Sequence, residues 1–172
     1  MRFGYILVCA LASVGVCWAA GTVKVQFFIS SDCPISNSYA PEIQRLCSEY
    51  GNKGVNCSLV YEDVQIDTTS MQKHLSEYRY AAIPAVIDSK RKIANQARAT
   101  VTPEAVVIDS RGEIRYRGRI DNFYAALGKP RQQVTVHDLR DALDAVLAGR
   151  PVPNPETKAL GCYIVPPDIL GK

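Results

Sequence analysis

The sequence predicts an α/β fold in which a mixed central sheet carries helices on both faces. Three observations predict it. Segments of strand type and segments at helical spacing follow one another in the order β-α-β-α-β-α-β-β-α. Strands followed by helices build a sheet covered on both faces, and the late β-β pair makes the sheet mixed rather than all parallel. The 172 residues suit one domain, and 47% apolar with 22% charged residues is an ordinary globular balance.

The first strand is "TVKVQFFIS" (22–30), rich in Val and Phe and weakly alternating. From Pro34 the period changes: Ile35, Tyr39, Ile43, Leu46 and Tyr50 recur at helical spacing until Gly51. Pro34 suits a first helical turn, and Pro41 should kink the helix. "GVNCSLVYEDV" (54–64) is a second strand, with Val55, Cys57, Leu59 and Tyr61 on one face. A short helix (69–80), a strand (83–89) and another short helix (90–99) follow. "PEAVVIDSRGEIRYRG" (103–118) reads as a hairpin turning at Ser110–Gly112. The last helix (134–151) has Thr135 as N-cap candidate with Asp138 three residues on, and a Val134–Leu139 staple. Its buried stripe would be Val136, Leu139, Leu143, Val146 and Leu147, ended by Gly149 and Pro151. The Pro-rich remainder reads as an extended tail, and its Cys162 and Ile164 suggest that it is pinned to the domain.

At the other end, one Arg precedes an apolar run from Tyr5 to Trp18, followed by Ala-Ala-Gly. That is the plan of a secretory signal peptide, and the run is shorter than the ~20 residues a spanning helix needs. The expected organisation is a signal peptide over 1–20, one domain over 21–149, and a packed tail over 150–172. Membrane contact is expected only if the first segment is retained. The net charge of +3, with no basic cluster interleaved with aromatics, argues against nucleic acid.

Of six cysteines, Cys9 and Cys17 would leave with the signal. Cys33, Cys47, Cys57 and Cys162 remain, and four cysteines allow three pairings. Cys47 and Cys57 could form a structural disulfide between a helix end and the next strand, or be two small core residues. A thiol reacts as its thiolate, and its pKa of ~8.5 falls to ~3.5–7.5 at helix N-termini. Cys33 stands just before Pro34, at the expected start of the first long helix, and the Ser36 hydroxyl could add a hydrogen bond. Its position argues that Cys33 is reactive.

The stretch "FFISSDCPISNSYAP" (27–41), with Cys33-x-x-Ser36 and Pro41 five residues further on, resembles the C-x-x-C-x-x-x-x-P of the thioredoxin superfamily. Thr102-Pro103 resembles that family's cis-proline, which faces the active cysteine. The added unit "IPAVIDSKRKIANQARA", with "YRGRIDNFYAALGKPR" and "GCYI", resembles the redoxin branch: peroxiredoxin-like, thiol-specific-antioxidant-like and TlpA-like bacterial proteins. The resemblance spans about residues 22 to 164. It implies a thioredoxin-like fold and redox chemistry on protein thiols or disulfides, or on a peroxide, with an external thiol as reductant. It implies no cofactor. It also implies that Thr102 and Pro103 hold a substrate chain against Cys33.

Three departures qualify the resemblance. Ser36 replaces the usual resolving cysteine, so local disulfide cycling is excluded. Ser30 matches the Ser/Thr of the peroxidase pattern P-x-x-x-[TS]-x-x-C, but Gln26 stands in place of its proline. Glu104, not Arg, follows Pro103, and a carboxylate beside a thiolate would raise its pKa. Cys162 is the candidate resolving partner, against a permanent staple or two unrelated thiols. His74 and His137 read as exposed helical residues, and no metal site is expected. The basic residues Arg115, Arg117, Arg119, Lys129 and Arg131 read as a solvated hairpin face. The expected function is an exported redoxin acting through Cys33, against a peroxidase or a binding module with an inert Cys33.

Overall fold

The computed structural model describes residues 22–80 and 82–165. The expected signal peptide, 1–20, lies outside them, as does the end of the tail. A five-stranded sheet forms the centre. Its strands are β1 (Val23–Ile29), β2 (Val55–Tyr61), β3 (Ala85–Ile87), β5 (Glu104–Ile108) and β6 (Ile114–Gly118), and β4 (Val101–Thr102) lies outside it. The order is β3-β2-β1-β5-β6. β1 pairs parallel with β2 and antiparallel with β5, so the sheet is mixed.

The pleat of β1 divides the core in two, because successive side chains point to opposite faces. Val25, Phe27 and Ile29 face one side. There they meet α2 (Ala40–Gly51), α3 (Thr68–Glu77) and α5 (Asp138–Leu147) through Ile43, Leu46, Met71, Leu75, Leu139 and Leu143. Phe28 faces the other side with Val60 and Val106, under Ala94 and Ala97 of α4 (Lys92–Ala97). Small alanines let α4 lie close on that face.

Four local expectations need correction. The helix after Cys33 is not one kinked element but two. α1 (Pro34–Ser38) ends at Tyr39, and α2 starts one residue later with Pro41 in its first turn. Proline has no N–H to give and its ring crowds the carbonyl four residues back, so the break falls just before it. The cap of α5 is His137, not Thr135. The Thr135 N–H and hydroxyl are both bound to the Asn122 side chain, which also takes the Val136 N–H. Val136 and Leu147 are correspondingly exposed, and Ala142 and Ala145 fill the buried stripe instead. Finally, His74 is buried rather than exposed.

The chain then crosses β7 (Tyr124–Ala126) and β8 (Lys129–Pro130), which pair only with each other. After α5, the tail returns along the outer edge of β6. The Arg117 N–H donates to the Pro155 carbonyl at 2.9 Å, and the Thr157 N–H donates to the Arg117 carbonyl at 3.0 Å. Arg117 also pairs with Glu156. Thr157 packs onto Gly118, where an added Cβ would lie 2.2 Å from its Oγ1, and Gly118 has φ +151°. The tail ends as β9 (Cys162–Tyr163), antiparallel to β4.

Gly118→Ala should therefore destabilise the fold. A left-handed strain of this kind costs of order 1–3 kcal/mol. For a chain of this size that lowers Tm by roughly 2–4 °C per kcal/mol, readable by thermal denaturation.

Candidate active site

Parallel neighbours β1 and β2 end at the same edge of the sheet, with Ile29 opposite Tyr61. The loops that leave this edge, 30–33 and 62–63, therefore meet. Asp63 clamps the first loop. One of its carboxylate oxygens accepts from the Ser30 hydroxyl (2.9 Å), the Ser31 N–H (2.9 Å) and the Ser31 hydroxyl (2.8 Å). A second clamp runs through His74. Asn37 Nδ2 donates to the Ser31 carbonyl at 2.8 Å, which turns Asn37 Oδ1 toward His74 Nε2 at 3.0 Å. That oxygen can only accept, so Nε2 carries a proton, and Nδ1 lies 2.8 Å from the Tyr61 hydroxyl. Burial holds the histidine pKa below the usual value, which favours the neutral ring with Nδ1 as the acceptor.

The loop so held delivers Cys33 as the N-cap of α1, in extended conformation, with Pro34 as the first helical residue. The Cys33 N–H donates to the Ser30 carbonyl at 3.2 Å. Its side chain is 1% exposed. Burial pushes the thiol pKa up. The Cys162 thiol and the backbone and hydroxyl donors of Ser36 push it down, and together they prevail. Ser36 thus supplies hydrogen bonds in place of a second thiol.

Cys162 Sγ lies 2.9 Å from Cys33 Sγ, longer than the ~2.05 Å of a disulfide bond, and both are thiols. Burial pushes Cys162 up, as do its own hydrogen bond to Cys33 and the charge there, to about 11. On the other side of Cys33, its Sγ–H points to the Thr102 carbonyl at 3.2 Å. The Thr102–Pro103 peptide bond is cis. Thr102 Oγ1 donates to the Cys162 carbonyl at 3.4 Å. The structure thus brings Cys33, Ser36, Thr102, Pro103 and Cys162 together.

The other expected residues have supporting places. Ser30 is bound to Asp63 and does not reach the sulfur. Glu104 turns its carboxylate to the Thr100 N–H (2.7 Å) and Val101 N–H (3.4 Å), so it braces the approach to β4. Cys47 and Cys57 form a second pair of thiols, far along β1 where Cys57 lies opposite Val25. A hydrogen bond between them raises Cys47, aided by burial, and lowers Cys57.

Sequence reasoning missed Asn37, Glu62, Asp63 and Arg91, and misplaced His74. The Arg91 guanidinium donates to Glu62 Oε2 at 2.8 Å in the interior, and among the described residues Glu62 Oε1 has no partner. Both residues line a cleft of about 570 Å³ beside Cys162, with Ser31, Asp32 and Asp63. Burial pushes the Glu62 carboxyl up to about 8, against the pull of Arg91. "GluAsp" directly after a strand parallel to β1 was the available signal, because that position must fall beside the Cys33 loop. Among the described residues, no group of three or more His, Cys, Asp or Glu side chains gathers as for a metal.

A cysteine at the end of the first sheet strand, buried against a cis-proline, on a mixed sheet of this order defines a thioredoxin-fold redoxin. The chain matches the AhpC/TSA family model over residues 15–117, and it belongs to that family. No curated protein matches it. Among solved structures, it is similar to an uncharacterized conserved protein from Geobacillus kaustophilus. The two share 28% identity and a TM-score of 0.70, over 84% of this chain and 77% of that one. A hypothetical protein from Sinorhizobium meliloti gives 23% and 0.73, over 84% and 80%. A structure from Chlorobium tepidum, named for the thiol:disulfide interchange protein DsbE, gives 21% and 0.50, over 57% and 67%. The last two show the fold alone.

Two outcomes test this site. Ser36→Ala removes one donor to the Cys33 thiolate. A hydrogen bond to a charged group contributes ~1.5 kcal/mol or more, so alkylation of Cys33 near pH 7 should slow by about tenfold and its pH profile should move to higher pH. The second concerns Glu62. Its folded pKa lies above the ordinary carboxylate value, so the folded chain binds the extra proton between that value and about 8. This stabilisation is complete below the ordinary carboxylate pKa and is lost as pH rises through 8. The Tm of the native chain should fall across that window, and Glu62→Gln should flatten this component.

Proposed function

We propose that this redoxin is an exported thiol–disulfide oxidoreductase in which Cys33 is the nucleophile and Cys162 the resolving thiol. The single observation that carries the reading is the 2.9 Å approach of the two sulfurs, one lowered in pKa and the other raised. Export is supported by the apolar N-terminal segment and by the suitability of thiol exchange to an oxidising compartment. The domain would then run from 21 to 149, with the tail as a working part of the site.

The chemistry follows from the pKa order. Cys33 thiolate attacks one sulfur of a substrate disulfide. The substrate S–S bond breaks, its second sulfur leaves as a thiolate, and Cys33 is held in a mixed disulfide. Cys162 waits protonated until that moment. Two of the causes that raise it, the charge on Cys33 and the hydrogen bond to it, disappear once Cys33 is bonded. Cys162 then loses its proton, attacks Cys33, and releases the second substrate thiol. The Cys33–Cys162 disulfide is returned to two thiols by an external thiol reductant. Ser36 cannot perform this step, and its replacement by a distant cysteine accounts for the sequence departure at that position.

The same geometry supports a second reading, peroxide reduction. Cys33 would be oxidised to the sulfenic acid, and Cys162 would condense with it, forming the disulfide and releasing water. Gln26 and Glu104, in the places of the peroxidase proline and arginine, favour the first reading.

With a protein disulfide as substrate and dithiothreitol as donor, Cys33→Ser should reduce turnover to background. Cys162→Ser, given the protein disulfide without added thiol, should accumulate a Cys33–substrate adduct detectable by mass spectrometry, which the native chain should not. If the native chain consumes peroxide and leaves protein disulfides intact, the peroxidase reading replaces the first.

A further inference from the structure

β4 is a two-residue strand outside the main sheet, and among the described residues it pairs with the tail alone. The pairing is antiparallel, with Thr102 opposite Cys162 and Val101 opposite Tyr163. The Ile164 N–H donates to the Thr100 carbonyl at 3.0 Å, and Thr102 Oγ1 reaches the Cys162 carbonyl. Apart from the Cys162 sulfur on Cys33, the side chains of β9 contribute little, and Tyr163 is 82% exposed. What positions Cys162 is the backbone register on β4.

That register leaves no room for a side chain before the cysteine. A Cβ added to Gly161 would lie 1.9 Å from the Thr102 carbonyl oxygen and 2.6 Å from its carbon. These are backbone atoms directly preceding Pro103, and they cannot swing aside as the end of a long side chain can. Any chain that presents a sulfur to Cys33 in this register meets the same obstacle.

We propose that the β4 edge is a docking site for one extended chain carrying glycine directly before its reacting cysteine. The tail fills it in cis and a polypeptide substrate fills it in trans, so the two compete. This inference rests on the oxidoreductase reading and adds its substrate class and its control. "ALGCYI" (159–164) is then the protein's own copy of the segment it recognises.

The test uses the full chain as Cys162→Ser and as Gly161→Ala/Cys162→Ser, in which the tail cannot seat. The probes are hexapeptides ALGCYI and ALACYI, each with its cysteine in a mixed disulfide with nitrothiobenzoate. Dithiobis(nitrobenzoate) is the probe without a chain. Cys33 sulfur bonds to the peptide sulfur, the peptide–nitrothiobenzoate bond breaks, and the coloured thiolate leaves with the electron pair. The proton of Cys33 goes to solvent. In the double variant, the glycine peptide should react faster than the alanine peptide by about tenfold or more, the rate equivalent of ~1.4 kcal/mol of steric overlap. With the tail seated, in Cys162→Ser, the glycine peptide should react more slowly than in the double variant. Labelling Cys162→Ser with the glycine peptide should also speed hydrogen exchange at the Ile164 amide, a readout that does not depend on Gly161→Ala. Equal rates for the two peptides, or an unchanged Ile164 amide, overturn the proposal while Cys33 still reacts with dithiobis(nitrobenzoate). A Cys33 inert even to that reagent overturns the oxidoreductase reading as well.

Discussion

The Asp63 carboxylate is the fixed point of the site. It gathers the Ser30 hydroxyl and both donors of Ser31 onto one oxygen, and each such bond to a charged group contributes about 1.5–3 kcal/mol. Without it, the turn between β1 and α1 would lose every tie to the end of β2 that its serines make, and would keep the Cys33–Ser30 backbone bond, the Ser30–Ser36 contact and the Asn37 contact. Cys33 would then lose the orientation that faces its sulfur to Thr102 on one side and Cys162 on the other. The clamp exists because β1 and β2 are parallel and end together, so a residue just beyond β2 must fall beside the loop just beyond β1. Topology and chemistry are linked through that one register.

The division of the dithiol between a rigid loop and a tail has a chemical consequence. In a C-x-x-C turn, both sulfurs belong to the same local structure. Here Cys33 is buried and its pKa lowered, whereas Cys162 is on an exposed strand and its pKa raised. Of the two, Cys33 gives up its proton the more readily. The raised pKa of Cys162 is in part produced by Cys33 itself, so in the proposed exchange the resolving thiol would be activated by the event it must resolve. The buried His74 adds rigidity by linking Tyr61 to Asn37, and its burial favours the neutral ring.

Much of the fold was legible because it depends on periodicity. The strand pleat, the helical spacing and the glycine turns are local, and they gave the mixed sheet and most elements within a few residues. Cys33, Ser36, Thr102 and Pro103 were legible because they keep the spacing of a known pattern. The break at Tyr39 was misjudged because a proline in the first turn of a new helix and a proline within a kinked helix have the same spacing. His74 was misjudged because its neighbours along the helix are charged, while its partners, Tyr61 and Asn37, come from a strand and a different helix. Asp63, Glu62 and Arg91 carry no pattern of their own; their roles appear only when strand order is known. Gly161 is similar, since its lack of a side chain acquires meaning only against the Thr102 carbonyl.

The tail joins two kinds of attachment that differ in exposure. Around Thr157 it is bound by two backbone hydrogen bonds to Arg117, by the Tyr116 hydroxyl at 2.7 Å, and by close packing on Gly118. Beyond Gly161 it is held by the two-residue ladder with β4, the Ile164 N–H on the Thr100 carbonyl, the Cys162–Cys33 sulfur contact, and Arg91 Nε on the Val165 carbonyl at 3.2 Å, but Cys162 and Tyr163 are exposed. Segments with few buried apolar contacts and solvent-exposed hydrogen bonds open at the smallest free-energy cost. In the proposed exchange, the anchor near Thr157 would keep Cys162 tethered within reach of Cys33, so resolution would be an intramolecular event governed by effective concentration rather than by encounter. The more exposed hold beyond Gly161 would let the same strand leave its seat. A tail buried along its whole length would block Cys33, and one bound nowhere would resolve slowly; a tail packed at Thr157 and exposed at Tyr163 would meet both demands.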